Sequence, residues 1–151
     1  MSFPRYSRYK DSGVEWLGQV PEHWKVMGLR RFTCRVQTGG TPSSEPPSTD
    51  IEEGLVWFTP GDFGDSLCLA ASTRKISPLV DASGEAKTFP PRSVLVVSIR
   101  ATLGKVGFAA EASSANQQIN AVIPNGRIDG YFLAYSLSVK AEVMRFLSNA
   151  C

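Results

Sequence analysis

Residues 92–124, RSVLVVSIRATLGKVGFAAEASSANQQINAVIP, run an apolar segment straight into a short polar turn and then into a second apolar segment. Positions 94–99 are apolar on both alternating faces, broken only by Ser98, which is the pattern of a strand covered on both sides. Arg100, Thr102 and Lys105 gather around Gly104 at the strand exit, and Asn116, Gln117 and Gln118 precede the second strand at 119–123. Cations and carboxamides are the groups that hold phosphates and read base edges, Arg pairing bidentately with guanine and Asn or Gln with adenine.

Outward from this segment, the 151 residues fit one domain with a core of useful size. With 42% hydrophobic and 20% charged residues, the composition is that of a globular protein rather than a disordered or fibrous one. No apolar run reaches membrane-spanning length and residues 1–13 lack a signal-peptide core, so a cytoplasmic protein without a membrane partner is expected. Cys34, Cys68 and Cys151 with the single His23 are too few and too widely spaced for a structural zinc site or a disulfide framework, and they read as reduced thiols. The net charge of +2 is mild, with basic residues at 5–10 and 25–35 and acidic ones at 50–65.

Residues 1–28 read as an arm packing on a domain at 29–151. Leu29, Phe32 and Val36 recur at helical spacing opposite Arg30, Arg31 and Arg35, predicting a short helix that ends at Gly39 and Gly40. The stretch 38–50, TGGTPSSEPPSTD, reads as a loop, and 55–59 as a strand closed by a Pro60-Gly61-Asp62 turn. Short strands are expected near 67–70 and 74–77. Asp129 suits the cap of a long C-terminal helix whose stripe Phe132, Tyr135, Val139, Val143 and Phe146 is expected to face a sheet. The helix meets no Gly or Pro stop before Cys151, so the ending is expected to be that of a cut chain rather than a finished domain. Trp16, Trp24 and Trp57 read as core residues. The order of elements argues an α+β domain with a curled, mostly antiparallel or mixed sheet and long loops.

Enzymatic motifs fail on inspection. Asp62-Phe63-Gly64 spells a kinase-like triplet without the phosphate loop, strand lysine or catalytic loop that would give it meaning. Residues 89–92, FPPR, echo an amino-methyltransferase loop but place Phe89 where an Asn or Asp must accept a proton. Gly104-Lys105 lacks the rest of a P-loop, and the pairs Glu52/Glu53 and Asp62/Asp65 read as solvated charges.

Residues 9–26, YKDSGVEWLGQVPEHWKV, resemble the amino-terminal signature of specificity subunits of type I restriction-modification systems. Gly40-Thr41-Pro42, VWFTPGDF, RKIS at 74–77, SVLVVSIRATLGKVG, NQQINAVIP and YFLAYSL follow in the order of that family's target recognition domain. The resemblance implies a DNA-reading module without catalysis of its own. It implies double-stranded DNA as ligand, a modification subunit that carries S-adenosylmethionine and methylates adenine, and a separate restriction motor subunit. No cofactor is expected in this chain, and the terminal helix is a candidate contact with a second copy or with the modification subunit. Full specificity subunits resemble two such domains joined by long helices. Here one is present, and RKISPLVDASGEAKTFPP replaces the shorter glycine turn usual after the RKIS-like strand.

On that resemblance Arg74, Lys75, Arg100 and Lys105 become phosphate or guanine candidates, Thr102 lies beside them, and Asn116, Gln117 and Gln118 are adenine-reading candidates. Thr41, Ser43 and Ser44 are donors in the Gly-Pro loop. The competing role for Asn116 and Gln117 is to brace the fold.

Overall fold

The computed structural model describes residues 5–69, 72–99 and 103–140. The chain divides into two compact units, residues 1–31 and 32–151. In the first, strands β1 (Tyr9–Asp11) and β2 (Gln19–Pro21) pair antiparallel. Tyr6 lies against Tyr9, His23 and Trp24, with its ring 5.3 Å from that of His23. Trp16 and Trp24 are exposed, contrary to their expected core role, whereas Trp57 of the second unit is buried. A hairpin this short has no second layer of its own to bury large rings against.

The second unit contains two sheets where one was expected. Strands β3 (Thr33–Thr38), β9 (Ile119–Pro124), β6 (Ser93–Val97) and β7 (Val106–Ala109) form an antiparallel sheet in that order. Strands β5 (Lys75–Ile76), β4 (Leu55–Phe58) and β8 (Ser113–Ala115) form a smaller mixed one, with β4 and β8 parallel. The fold is α+β, as expected.

Each strand of the larger sheet sends alternate side chains to opposite layers. Leu95, Val97, Ile119 and Ala121 join Phe58, Phe63 and Phe89 between the sheets, while Val94, Phe108 and Val122 pack with Leu133 and Ala134 on the other face. The two-sided apolar pattern at 94–99 therefore has its cause in two layers of cover. A third cluster, Trp57, Ile76, Val80 and Ala86, seals the outer face of the small sheet beneath helix α1 (Pro78–Ser83). That helix was not anticipated. Ser77 caps its first turn, Pro78 starts it and Gly84, in the left-handed region at φ 77°, ends it.

Two expectations are corrected. Residues 33–38 are a strand, not the end of a helix, and only Leu29–Arg31 makes a 3-10 turn. Pairing with β9 supplies the backbone bonds of residues 33–38, and this tertiary ladder overrides a weak helical spacing. Helix α2 (Gly130–Ser138) is capped by Asp129, which accepts from the Phe132 amide, but it turns a different face inward than predicted. Gly130, Leu133 and Ala134 are buried and Leu137 packs beside them, while Phe132, Tyr135 and Val139 are more than half exposed. A Cβ at Gly130 would lie 2.5 Å from the Arg92 carbonyl oxygen, so only glycine lets the helix approach here. That contact fixes the helix rotation. Val143, Phe146 and Cys151 lie outside the described residues.

Candidate nucleic-acid interface

Antiparallel pairing brings the exits of β3 and β6 and the entries of β9 and β7 to one end of the larger sheet. Residues 39–41, 98–99, 103–105 and 116–118 therefore share a rim. Strand β4 delivers its exit to the same rim, because the Asn116 amide donates to the Phe58 carbonyl. The turn after it is self-contained: Asp62 accepts from both the amide and the hydroxyl of Thr59. The kinase-like triplet is thus a capped turn with its carboxylate spent locally.

Gly39 has a steric reason to be glycine. A Cβ there would stand 2.3 Å from the carbonyl oxygens of Ala115 and Asn116, so the 39–41 and 115–118 segments run in direct backbone contact. The Gly40 amide donates to Ala115 and the Trp57 indole nitrogen to the Gly40 carbonyl, at 2.8 and 3.1 Å. On this support Thr41 Oγ1 donates to Gln117 Oε1 at 3.1 Å. Gln117 is exposed, and among the described residues its amide nitrogen and second oxygen lone pair are left for a ligand. Asn116 turns inward instead, its Oδ1 accepting the Gln118 amide at 3.1 Å. The Gln118 carbonyl takes both the amide and the hydroxyl of Ser98. Of the three carboxamides, Asn116 is engaged in the turn and Gln117 is presented outward.

Lys105 reaches the rim from the β6–β7 turn, donating through Nζ to the Phe63 carbonyl at 2.8 Å. Its ammonium keeps further protons for an anion. Arg100 and Thr102, close to Lys105 in sequence, lie outside the described residues. Lys75 and Arg74 sit apart, in the small sheet: Lys75 Nζ donates to the Glu52 carbonyl, and the Arg74 carbonyl accepts from the Trp57 amide. Ser43 and Ser44 converge on a single carboxylate, that of Glu85, through both backbone amides and both hydroxyls. The structure thus assembles Thr41, Lys105, Asn116, Gln117 and Gln118 at one end, with Ser43 and Ser44 two and three residues beyond Thr41. Arg74 and Lys75 do not join them.

The model of the type I restriction modification DNA specificity domain matches residues 21–151. The chain belongs to this family. It is 25% identical over 141 residues to the MjaIX type I restriction enzyme specificity subunit of Methanocaldococcus jannaschii, covering 88% of this chain and 31% of that protein. It is 29% identical over 118 residues to the HindI specificity subunit of Haemophilus influenzae, covering 78% of this chain and 25% of the relative. The chain therefore spans about a third or less of these relatives. The crystal structure of the HsdS subunit from Thermoanaerobacter tengcongensis shares the fold, with a TM-score of 0.63 and 22% identity over 90% of this chain and 31% of that one.

Within this specificity domain, a cleft of about 390 Å³ opens beside Lys105, lined by Gly64, Asp65, Ser66, Tyr131 and Tyr135 among others. Neither tyrosine is a site residue by sequence, since Tyr135 reads as part of the apolar helix stripe and Tyr131 as an ordinary helix position. Among the described residues no group of His, Cys, Asp and Glu could hold a metal, and no helix is long and apolar enough to cross a membrane.

The hydrogen bonds from Ser44 and Ser43 hold the Glu85 carboxyl down from its ordinary 4.5 to about 2. A depressed carboxyl stabilises the fold above about 4.5 and loses that contribution as pH falls toward 2. A carboxyl-detected NMR titration should place Glu85 near 2, and Ser43→Ala with Ser44→Ala should return it toward 4.5. Titration near 4.5 in the unaltered protein would show that the serines do not hold it.

Proposed function

We propose that this chain is a target recognition domain that reads double-stranded DNA in a type I restriction-modification assembly and makes or breaks no covalent bond itself. The observation that carries the reading is the convergence, on one rim of a rigid sheet, of a lysine, an outward carboxamide and hydroxyl donors, in a chain of the specificity-domain family. Cations anchor phosphates and supply affinity with little sequence information, whereas a carboxamide can pair bidentately with adenine in the major groove. Lys105 takes the anchoring role, with Arg100 as its neighbour in sequence. Gln117, oriented by Thr41, takes the reading role, while Asn116 and the Gln118 backbone hold the turn in shape.

Methyl transfer to adenine and DNA cleavage then belong to a modification subunit carrying S-adenosylmethionine and to a restriction motor subunit. Family membership supports this division. So does the local use of Asp62, whose carboxylate caps its own turn rather than facing a reaction site.

Selection of duplexes from a random pool, with the modification subunit present, should yield a defined short motif. Gln117→Ala should cost about 1 to 3 kcal/mol and relax one position of that motif. Lys105→Ala should weaken every duplex alike and lower the salt slope by roughly 1. A uniform loss for Gln117→Ala would remove its reading role, and an unselected pool would contradict the function.

A second contact, with protein, is favoured by the outward stripe of α2. Phe132 and Val139, 52% and 59% exposed, flank Tyr135 at spacings of three and four residues. We assign this stripe to a partner helix, in a second copy or in the modification subunit. Light scattering of the chain alone and mixed with that subunit should show association that Phe132→Ser with Val139→Ser abolishes. Association unchanged by these substitutions would place the contact elsewhere.

A further inference from the structure

Ser43 and Ser44 aim two amides and two hydroxyls at one oxyanion, and the oxyanion present is a side chain of the same chain. Successive backbone amides converging on a point, supplemented by hydroxyls, form the kind of concavity that binds phosphate elsewhere in proteins. We propose that the Ser43–Ser44 loop is a seat for a DNA backbone phosphate, and that Glu85 fills it in the free protein and leaves when a strand enters. This rests on the DNA-reading function above and adds to it an internal competitor.

Three observations carry the assignment. The first is stoichiometric: a carboxylate with donors on both oxygens presents to this loop the charge and acceptor pattern of two phosphate oxygens. The second is access. Ser43 and Ser44 are exposed and Glu85 is partly so, which leaves the carboxylate open to hydration once displaced, and the donors find equivalent acceptors on the incoming phosphate. The third is position. Ser43 follows Thr41 by two residues, at most about 7 Å of extended chain, so the seat adjoins the Thr41–Gln117 pair on the rim. The stem of Lys87 lies 3.5 Å from where a Cβ at Gly40 would stand, bringing a cationic side chain to the same loop.

Glu85 is built to be movable. It follows Gly84, which ends α1, and its amide is held by the Ser83 hydroxyl at 3.3 Å, so the carboxylate hangs from an exposed turn rather than from the core. The other acidic groups nearby are occupied: Glu45 accepts from Ser77 and Asp81 from Thr88. A phosphate mimic raises the threshold for every duplex equally, because phosphates carry no base identity.

The test uses the 151-residue chain and its Glu85→Gln and Glu85→Ala variants, checked for folding by circular dichroism. Anisotropy titrations with a selected duplex and a scrambled one should show both variants binding both duplexes roughly threefold to tenfold more tightly at low salt, with a salt slope steeper by up to about 1. Inorganic phosphate, followed at the Ser43 and Ser44 amides by NMR, should give saturable shifts in Glu85→Ala and much smaller ones in the unaltered chain. Equal or weaker DNA binding by a folded variant overturns the gating, and amides silent to phosphate overturn the seat. Loss of the fold in both variants makes Glu85 a structural brace and overturns the proposal as a whole. Should the unaltered chain and the variants bind no duplex, the DNA-reading function fails, and the phosphate titration still decides the seat by itself.

Discussion

The pairing of β9 with β3 on one side and β6 on the other is the constraint on which the rest depends. The registers Thr38 to Asn120 and Val97 to Ile119 set the exits of β3 and β6 level with the entry of β9. A slip of one residue would turn Leu95 and Ala121 out of the inter-sheet core and would also separate the loops that follow. Packing and site geometry are therefore set by the same ladder. The Gly39 contact with Ala115 and Asn116 extends that ladder past the last strand residue, so a segment rich in Gly, Pro and Ser leaves the sheet in a fixed direction.

Some of this is legible in the residues alone. The apolar run at 94–99 reads as a doubly covered strand because both of its faces meet core, and Asp129 reads as a cap because its side chain accepts the Phe132 amide in the first turn of α2. The misreadings have a common source in competing periodicities. Leu29, Phe32 and Val36 satisfy a helical spacing, but Thr33–Thr38 gains a ladder, irregular only between Thr33 and Arg35, by pairing across roughly eighty to ninety residues of chain, which no local pattern contains. In α2 two stripes coexist. Gly130, Leu133, Ala134 and Leu137 follow the helical spacing as well as Phe132, Tyr135 and Val139 do, and larger residues drew attention to the wrong face. The close approach at Gly130 decides between them, and a close approach is a property of two segments together.

The candidate site divides in the same way. Residue chemistry suffices to suggest carboxamides and cations near Gly104 and Gln117, since those types cluster in the sequence. Which of them are engaged in holding the turn is a matter of hydrogen bonds: Asn116 is engaged and Gln117 is oriented outward by Thr41. The pairing of Ser43 and Ser44 with Glu85 spans some forty residues and crosses from the loop before β4 to the turn after α1. Its consequence is electrostatic. The Ser43–Ser44 loop carries a resident negative charge, beside Thr41 and Lys87, in a chain whose net charge of +2 leaves little surplus attraction for DNA.

The account stands or falls on which end of the larger sheet meets the duplex. Backbone chemical-shift mapping of the isotope-labelled chain, titrated with the selected duplex, measures this directly. The account predicts shifts concentrated at residues 39–44, 98–105 and 116–118, with Arg92 and residues 125–129 at the far end unchanged. Shifts centred on Arg92 and residues 125–129, with the Thr41–Gln117 rim silent, would contradict it.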